Sequence, residues 1–292
     1  MLNPMTDDRP WQRRVRGYLL LPHLIPVIVV ELATAAFAGL AWGGIPPLSF
    51  LIPLLLAMLG GQLAIGATNE LVDLPFDFVG KPAKPLASGD VSVRGARIVT
   101  IVGLLLMTVF GQRFGAAAFA LLALGTGLGV AYDLWLKRTA WSWLPYLIAL
   151  PLLPIWVFTA AGRAEPRLFW LYPLGALATI GIHFAQALPD VAIDRAAGLA
   201  TATSRLGAGP VFFLSWLATL SAPLLSWIAA GSLAPAADRS PIVAAAGTTI
   251  ILMLANLAVL IGNRRAGVAA CFPLIALSAL LNGLAWTLIV VR

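Results

Sequence analysis

Charge is scarce in this chain. Only 11% of its 292 residues are Asp, Glu, Lys or Arg, against about 25% in soluble globular domains, which excludes an ordinary soluble fold. Acid is scarcer still, with 12 Asp and Glu in all, so any local concentration of carboxylates carries information. One cysteine, Cys271, excludes an intrachain disulfide, and its apolar surroundings make it a small core residue. Two histidines, His23 and His183, lie far apart in sequence, which leaves no Cys/His set for zinc. The net charge of +7 is spread over loops between apolar runs, so no nucleic-acid partner is expected.

What fills the chain instead is hydrocarbon. Hydrophobic residues make up 60% of it, and mean hydropathy is +0.93. Repeated apolar runs of 18 or more residues predict an all-α, multi-pass membrane protein. Spans are expected at 18–42, 48–72, 96–113, 114–136, 142–162, 168–190, 206–230, 241–262 and 267–290, about nine helices. Residues 1–17 form a polar, basic N-terminal segment at the membrane surface, and 18–292 form one transmembrane domain. No small-residue cleavage site follows the first apolar run, which is therefore expected to be retained. With the N-terminus placed in the cytoplasm, 14 of the 19 Lys and Arg fall on that side. Arg113, Arg163, Arg167, Arg239 and Arg292 fall on the other. This asymmetry orients the protein N-terminus in and C-terminus out. Arginine-rich basic usage with abundant Ala and Gly suggests a GC-rich bacterial gene and a bacterial cell membrane.

Five of the 12 acids lie in two short clusters. Glu70, Asp73 and Asp77 close the second apolar run, and Asp190 and Asp194 close the sixth. Gln62, Gly66, Asn69, Asp73 and Asp77 step by three or four, as do His183, Gln186, Asp190 and Asp194, so each set lies on one helix stripe. Pro75 is expected to end or kink its helix near Leu74, and Pro189 to bend the other. The loops 73–95 and 191–205 then share the cytoplasmic face. Carboxylates at the edge of hydrocarbon are costly and usually functional. Carboxylate and amide oxygens in two clusters suit a hard cation such as Mg²⁺, held together with substrate phosphates. Lys84, Lys137, Arg138 and Arg195 supply cations on the same face. The combination suits a lipid diphosphate with its tail among the helices. Glu31, within the first span, is either a site residue or a structural carboxylate bonded to a neighbouring helix. Asn256 and Asn282 read as interhelical hydrogen-bonding residues.

Four segments resemble the motifs of the UbiA superfamily of intramembrane prenyltransferases. Asn69-Glu70-x-x-Asp73-x-x-x-Asp77 resembles its NDxxDxxxD motif, and Lys84-Pro85-Leu86-Ala87-Ser88-Gly89 its [RK]-P-[LI]-x-[ST]-G segment. Tyr132 through Lys137 resembles its Y-x-x-x-x-K segment, and Asp190-x-x-x-Asp194-Arg195-x-x-Gly198 its second DxxxD motif. The main departure is Glu70, where Asp is usual; its extra methylene would shift a water-mediated metal contact, which favours Asn69, Asp73 and Asp77 as the ligands. The resemblance implies nine helices around a central cavity capped by the two cytoplasmic loops. It implies Mg²⁺ on Asn69, Asp73 and Asp77 and on Asp190 and Asp194, gripping the diphosphate of an isoprenyl donor. Lys84, Lys137, Arg195 and Tyr132 are then donor-binding residues, with Asp73, Asp190, Lys137 and His183 as the catalytic set. An allylic carbocation would alkylate an aromatic or other lipophilic acceptor, and His183, Asp133 or the released diphosphate would take the proton. A terpene cyclase on the same scaffold, acting on the donor alone, is the alternative. A secondary transporter is disfavoured, because both clusters lie at one membrane edge rather than at the midplane.

Overall fold

The computed structural model describes residues 10–139, 141–196, 198–199 and 201–291. Most of the N-terminal segment (residues 1–9, with Arg9) and Arg292 therefore lie outside the described residues. The described chain is helical throughout, without a strand. In order come α1 (Trp11–Leu20), α2 (Leu24–Trp42), α3 (Leu48–Gly80), α4 (Val93–Gly111), α5 (Gly115–Ala131) and α6 (Leu144–Ala160). They are followed by α7 (Leu171–Ala187), the short α8 (Val191–Ala196) and α9 (Ala202–Leu206), then α10 (Ala208–Leu233), α11 (Ser240–Gly262) and α12 (Arg264–Val291).

Seven stretches among the described residues are long and apolar enough to cross a membrane. One of them, Val93–Leu136, runs 44 residues, about 66 Å as a straight helix, twice a hydrocarbon core. It breaks at Gln112–Phe114, and Gly115 with φ +86 restarts it as α5. With α4 and α5 separated and the 17-residue α6 added, the bundle has the approximate count expected from the apolar runs. Large apolar side chains remain exposed along its outside, among them Val109, Leu217, Ile251 and Ile261. In water such a surface would drive aggregation, and in lipid it is the solvated face.

Two boundaries differ from the sequence reading. The first span starts at Leu24, because Pro22 and a left-handed His23 (φ 60) separate it from α1. The second does not stop at Pro75; α3 continues to Gly80 as a 33-residue rod. Pro75 removes a single backbone donor, and the ladder resumes beyond it, with Lys81 N–H donating to the Asp77 carbonyl at 2.9 Å. The connection is therefore residues 81–92, shorter than the expected 73–95, and Ser92 ends it by capping α4 through Gly95 N–H at 3.0 Å. Residues 191–205 likewise contain α8 and α9 rather than an open loop.

α3 and α4 form the closest pair. A Cβ on Gly60 would stand 2.4 Å from Met107 N, and one on Gly103 2.7 Å from the Gly60 carbonyl oxygen, so the two backbones touch as only glycine permits. On the far side α7 packs on α10 and α11 on α12, while α2 closes the bundle against α3, α6 and α12. Asn256 and Asn282 bond across helices as expected. Trp216 Nε1 donates to Asn256 Oδ1 at 3.1 Å, Asn256 Nδ2 to the Gly267 carbonyl at 2.9 Å, and Asn282 Nδ2 to Thr249 Oγ1 at 3.2 Å. At one end, Leu21, Ala67, Leu86, Val91 and Ala96 form a small core that fastens the 81–92 connection beneath α1.

Candidate active site

The site is built where the C-terminal ends of α3, α5 and α7 meet. On α3 the stripe expected from spacing is present, and continuity through Pro75 keeps Asp77 on it. Glu70, Asp73 and Asp77 are all buried. Lys84, from the 81–92 connection, turns back onto that stripe. Its Nζ lies 2.9 Å from Glu70 Oε1, 2.8 Å from Asp77 Oδ2 and 3.8 Å from Asp73 Oδ2. Burial works against the Lys84 charge, but the hydrogen bonds to Asp77 and Glu70 outweigh it and hold the pKa above the ordinary lysine value.

The end of α5 contributes through a change of helix type. Residues Tyr132–Leu136 form a π turn, closed by Lys137 N–H donating to the Tyr132 carbonyl at 2.8 Å. The five-residue spacing of Tyr132 and Lys137 is the span of that turn. The turn sends Asp133 toward α3, where Asn69 Nδ2 donates to Asp133 Oδ1 at 2.6 Å. Lys137 Nζ donates to Asp73 Oδ2, and Arg138 Nη2 to Asp73 Oδ1 at 3.0 Å. The Arg138 guanidinium also lies 3.8 Å over the Phe76 ring.

The second acidic cluster is tied by an ion pair to the residue that follows α3, Lys81. α7 ends at Ala187, and a 3₁₀ turn at Leu188–Asp190 leads into α8, as Pro189 suggested. Lys81 Nζ lies 2.6 and 2.7 Å from the two carboxylate oxygens of Asp190. Asp194 is half-buried and lies within the electrostatic reach of Asp190, Lys81, Lys137 and Arg138. His183, about two turns further into the bundle than Asp190, is buried, with Nε2 3.0 Å from Ser142 Oγ. Tyr146 stands 5.0 Å from the His183 ring and 5.3 Å edge-on to Tyr132, and donates to Gln186 Oε1 at 2.6 Å. Tyr132, His183 and Tyr146 thus form an aromatic wall beside the charged rim.

Of the residues expected at the site, Asn69, Asp73, Asp77, Lys84, Tyr132, Lys137, His183, Asp190 and Asp194 come together in this way. Arg195 is engaged elsewhere: its Nε donates to the Ser204 carbonyl at 3.0 Å and its Nη2 to the Arg205 carbonyl at 3.3 Å. It ties α8 to the end of α9 and makes no ion pair among the described residues. Glu31 Oε1 is buried without a hydrogen-bond partner among the described residues, so the interhelical bond considered for it is not seen. Lys81, Ser142 and Tyr146 were not singled out as site residues from the sequence. Ser142 lies in the turn that leads into α6 and Tyr146 in its first turn. Two clefts lined by Trp42, Phe50 and Arg113 and by Leu121, Leu124 and Phe169 lie toward the other end of the bundle.

A model of the UbiA prenyltransferase family matches residues 30–280. The chain belongs to the UbiA prenyltransferase family. Among curated UbiA relatives, it is 29% identical over 185 residues to digeranylgeranylglyceryl phosphate synthase of Korarchaeum cryptofilum, covering 61% of this chain and 63% of that protein. It is 29% identical over 224 residues to homogentisate phytyltransferase of Synechocystis sp., covering 71% of each. The chain thus spans less than two thirds of the first of these relatives. Among solved structures, a UbiA homolog from Archaeoglobus fulgidus bound to GPP and Mg²⁺ superposes with a TM-score of 0.66 at 18% identity, covering 93% of this chain and 99% of that one. The fold is that of a UbiA multi-pass membrane protein.

Proposed function

We propose that this UbiA chain is an Mg²⁺-dependent prenyltransferase that moves an isoprenyl group from its diphosphate to an aromatic or other lipophilic acceptor. The observation that carries the reading is the junction of the two acidic clusters, 117 residues apart from Asp73 to Asp190, beside four basic side chains at one rim. The donor set fits Mg²⁺ in kind: every candidate ligand is a hard oxygen, and Asp133 Oδ2 is buried with no hydrogen-bond partner among the described residues. Among the described residues no three acidic, His or Cys side chains converge on one point; Lys84 stands between Glu70 and Asp77, while Lys137 pairs with Asp73 and Lys81 with Asp190. Mg²⁺ held by substrate phosphates as well as protein needs no closed protein cage.

Asn69, Asp73 and Asp77 would hold one ion and Asp190 and Asp194 the other. When bound, Mg²⁺ supplies positive charge against the leaving diphosphate. Lys84, Lys137 and Arg138 already point at Asp73, and exchange that carboxylate for diphosphate oxygens as the donor enters. The allylic C1–O bond breaks, and its electron pair leaves with the diphosphate. The cation at C1 faces Tyr132, Tyr146 and the apolar helices, which exclude water and tolerate positive charge on their ring faces. The acceptor supplies the electron pair for the new bond to C1 and then loses a proton. His183, whose Nδ1 is buried and without a partner among the described residues, would receive it.

The cytoplasmic placement of this rim follows from the basic-residue count. The names of the curated relatives, a glyceryl phosphate synthase and a phytyltransferase, favour transfer over cyclisation. The test is Mg²⁺-dependent diphosphate release from a panel of isoprenyl diphosphates, with and without phenolic, naphthoic and glycerol-lipid acceptors. Acceptor-dependent release with a prenylated product is expected. A cyclic product from donor alone, or no release with any pair, would overturn the proposal.

A further inference from the structure

The main departure from the family pattern, Glu70, has a geometry unlike its neighbours. It is 1% exposed, the most buried carboxylate of the stripe. Its Oε1 accepts from Lys84 Nζ at 2.9 Å, and the His23 ring lies beside it, Nε2 at 3.5 Å and without a hydrogen bond among the described residues. His23 sits in the left-handed break between α1 and α2, and that break is seated on α3, where a Cβ on Gly66 would stand 2.5 Å from Pro22 Cα. The hinge covers one flank of Glu70 and Lys84 covers the other. Asp73, by contrast, faces Lys137 and Arg138 at the open rim.

Glu70 and Asp77 are seven residues, two helical turns, apart and lie on the same face. The Lys84 ammonium bridges them, 2.9 Å from one and 2.8 Å from the other. A carboxylate one turn deeper than Asp73 needs the longer glutamate side chain to reach that ammonium. An aspartate at this position ends one methylene short.

We propose that Glu70 is a positioning residue, which fixes the Lys84 ammonium over the Asp73–Asp77 turn and does not ligate the divalent cation. The inference rests on the proposed donor-binding role of Lys84. A lysine held in place before the donor arrives does not lose its rotamer freedom at that step, so the anchor raises donor affinity without entering the bond-breaking step.

The test uses the full chain in detergent, with Glu70→Gln, Glu70→Asp, Lys84→Met and the Glu70→Gln/Lys84→Met double variant. In Glu70→Gln, donor KM and the Kd of a non-hydrolysable isoprenyl thiolodiphosphate rise about tenfold while kcat stays within about threefold. The Mg²⁺ concentration for half-maximal rate stays at the wild-type value. Glu70→Asp falls between Gln and wild type, and should Glu70→Gln not fold, it carries the same measurements. The double variant binds the analogue no more weakly than Lys84→Met alone. Thermal unfolding without donor or metal shows the two substitutions to be non-additive, as for groups in contact. A Mg²⁺ requirement shifted tenfold by Glu70→Gln, wild-type KM and Kd in that variant, or strict additivity in unfolding would each overturn the assignment. If wild type itself binds no analogue, the donor reading fails, and the unfolding cycle alone decides whether Glu70 anchors Lys84.

Discussion

Asp73 is the residue on which most of the charge converges, with Lys137 and Arg138 on separate oxygens and Lys84 nearby. Its removal frees Lys137 and Arg138 from their common partner and takes one ion ligand from the proposed site. Asp73→Ala and Asp190→Ala should each lower kcat for diphosphate release by about 10²–10³-fold, the range seen when one preorganised electrostatic group is removed. The check is single-turnover release, with circular dichroism to confirm the helical fold. Lys137→Ala should act chiefly on donor affinity, raising KM more than it lowers kcat; an unchanged KM would remove Lys137 from the diphosphate site. At this scale the sequence was legible where spacing is local. Asn69, Asp73 and Asp77 are four apart, and a helix stacks them whatever surrounds it. The pairing of Lys81 with Asp190, 109 residues away, and of Asn69 with Asp133 depends on how helices are arranged, which local spacing does not encode. Arg195 shows the converse, since a basic residue beside an acidic motif was drawn instead to backbone carbonyls of the next short helix.

Among elements, α3 and the π turn do the placing. Proline was a misleading boundary signal at residue 75. One lost backbone bond is a small fraction of a 33-residue ladder, and Lys84 braces the helix from both sides of Pro75, through Glu70 and Asp77. At Pro22 the same residue type did coincide with a break, because His23 takes a left-handed conformation beside it. The π turn was present in the sequence as the five-residue interval from Tyr132 to Lys137, legible only once the backbone bond is seen. The α3–α4 contact gives a stability test. Gly60→Ala drives a methyl to 2.4 Å from Met107 N, and overpacking of this kind typically destabilises by about 1–3 kcal/mol, read as a lower midpoint of thermal unfolding in detergent. Gly127 on α5 faces open space, and a Cβ there would meet nothing within 4 Å. Gly127→Ala should therefore be neutral or raise stability by up to about 1 kcal/mol.

For the molecule as a whole, the ends of the bundle differ in kind. One end carries the ion-paired rim, and the other carries short connections such as residues 234–239. Cys271 is fully buried and should be silent to membrane-impermeant maleimide. Cysteines placed at exposed Pro82 and Ala236 should then label from opposite sides of sealed vesicles, Pro82→Cys from the cytoplasmic side. Labelling of both from one side would reject the orientation drawn from basic residues. The length of α3 carries a further consequence. Thirty-three residues extend about 50 Å, against a hydrocarbon thickness of about 30 Å, so the end bearing the carboxylates stands at the water line. A donor whose tail already lies in that leaflet can present its diphosphate there without carrying the head through oil. The quantity that sets the rate is then the donor's mole fraction in the membrane. Turnover should fall when inert lipid is added and hold steady when the vesicles are merely diluted with buffer.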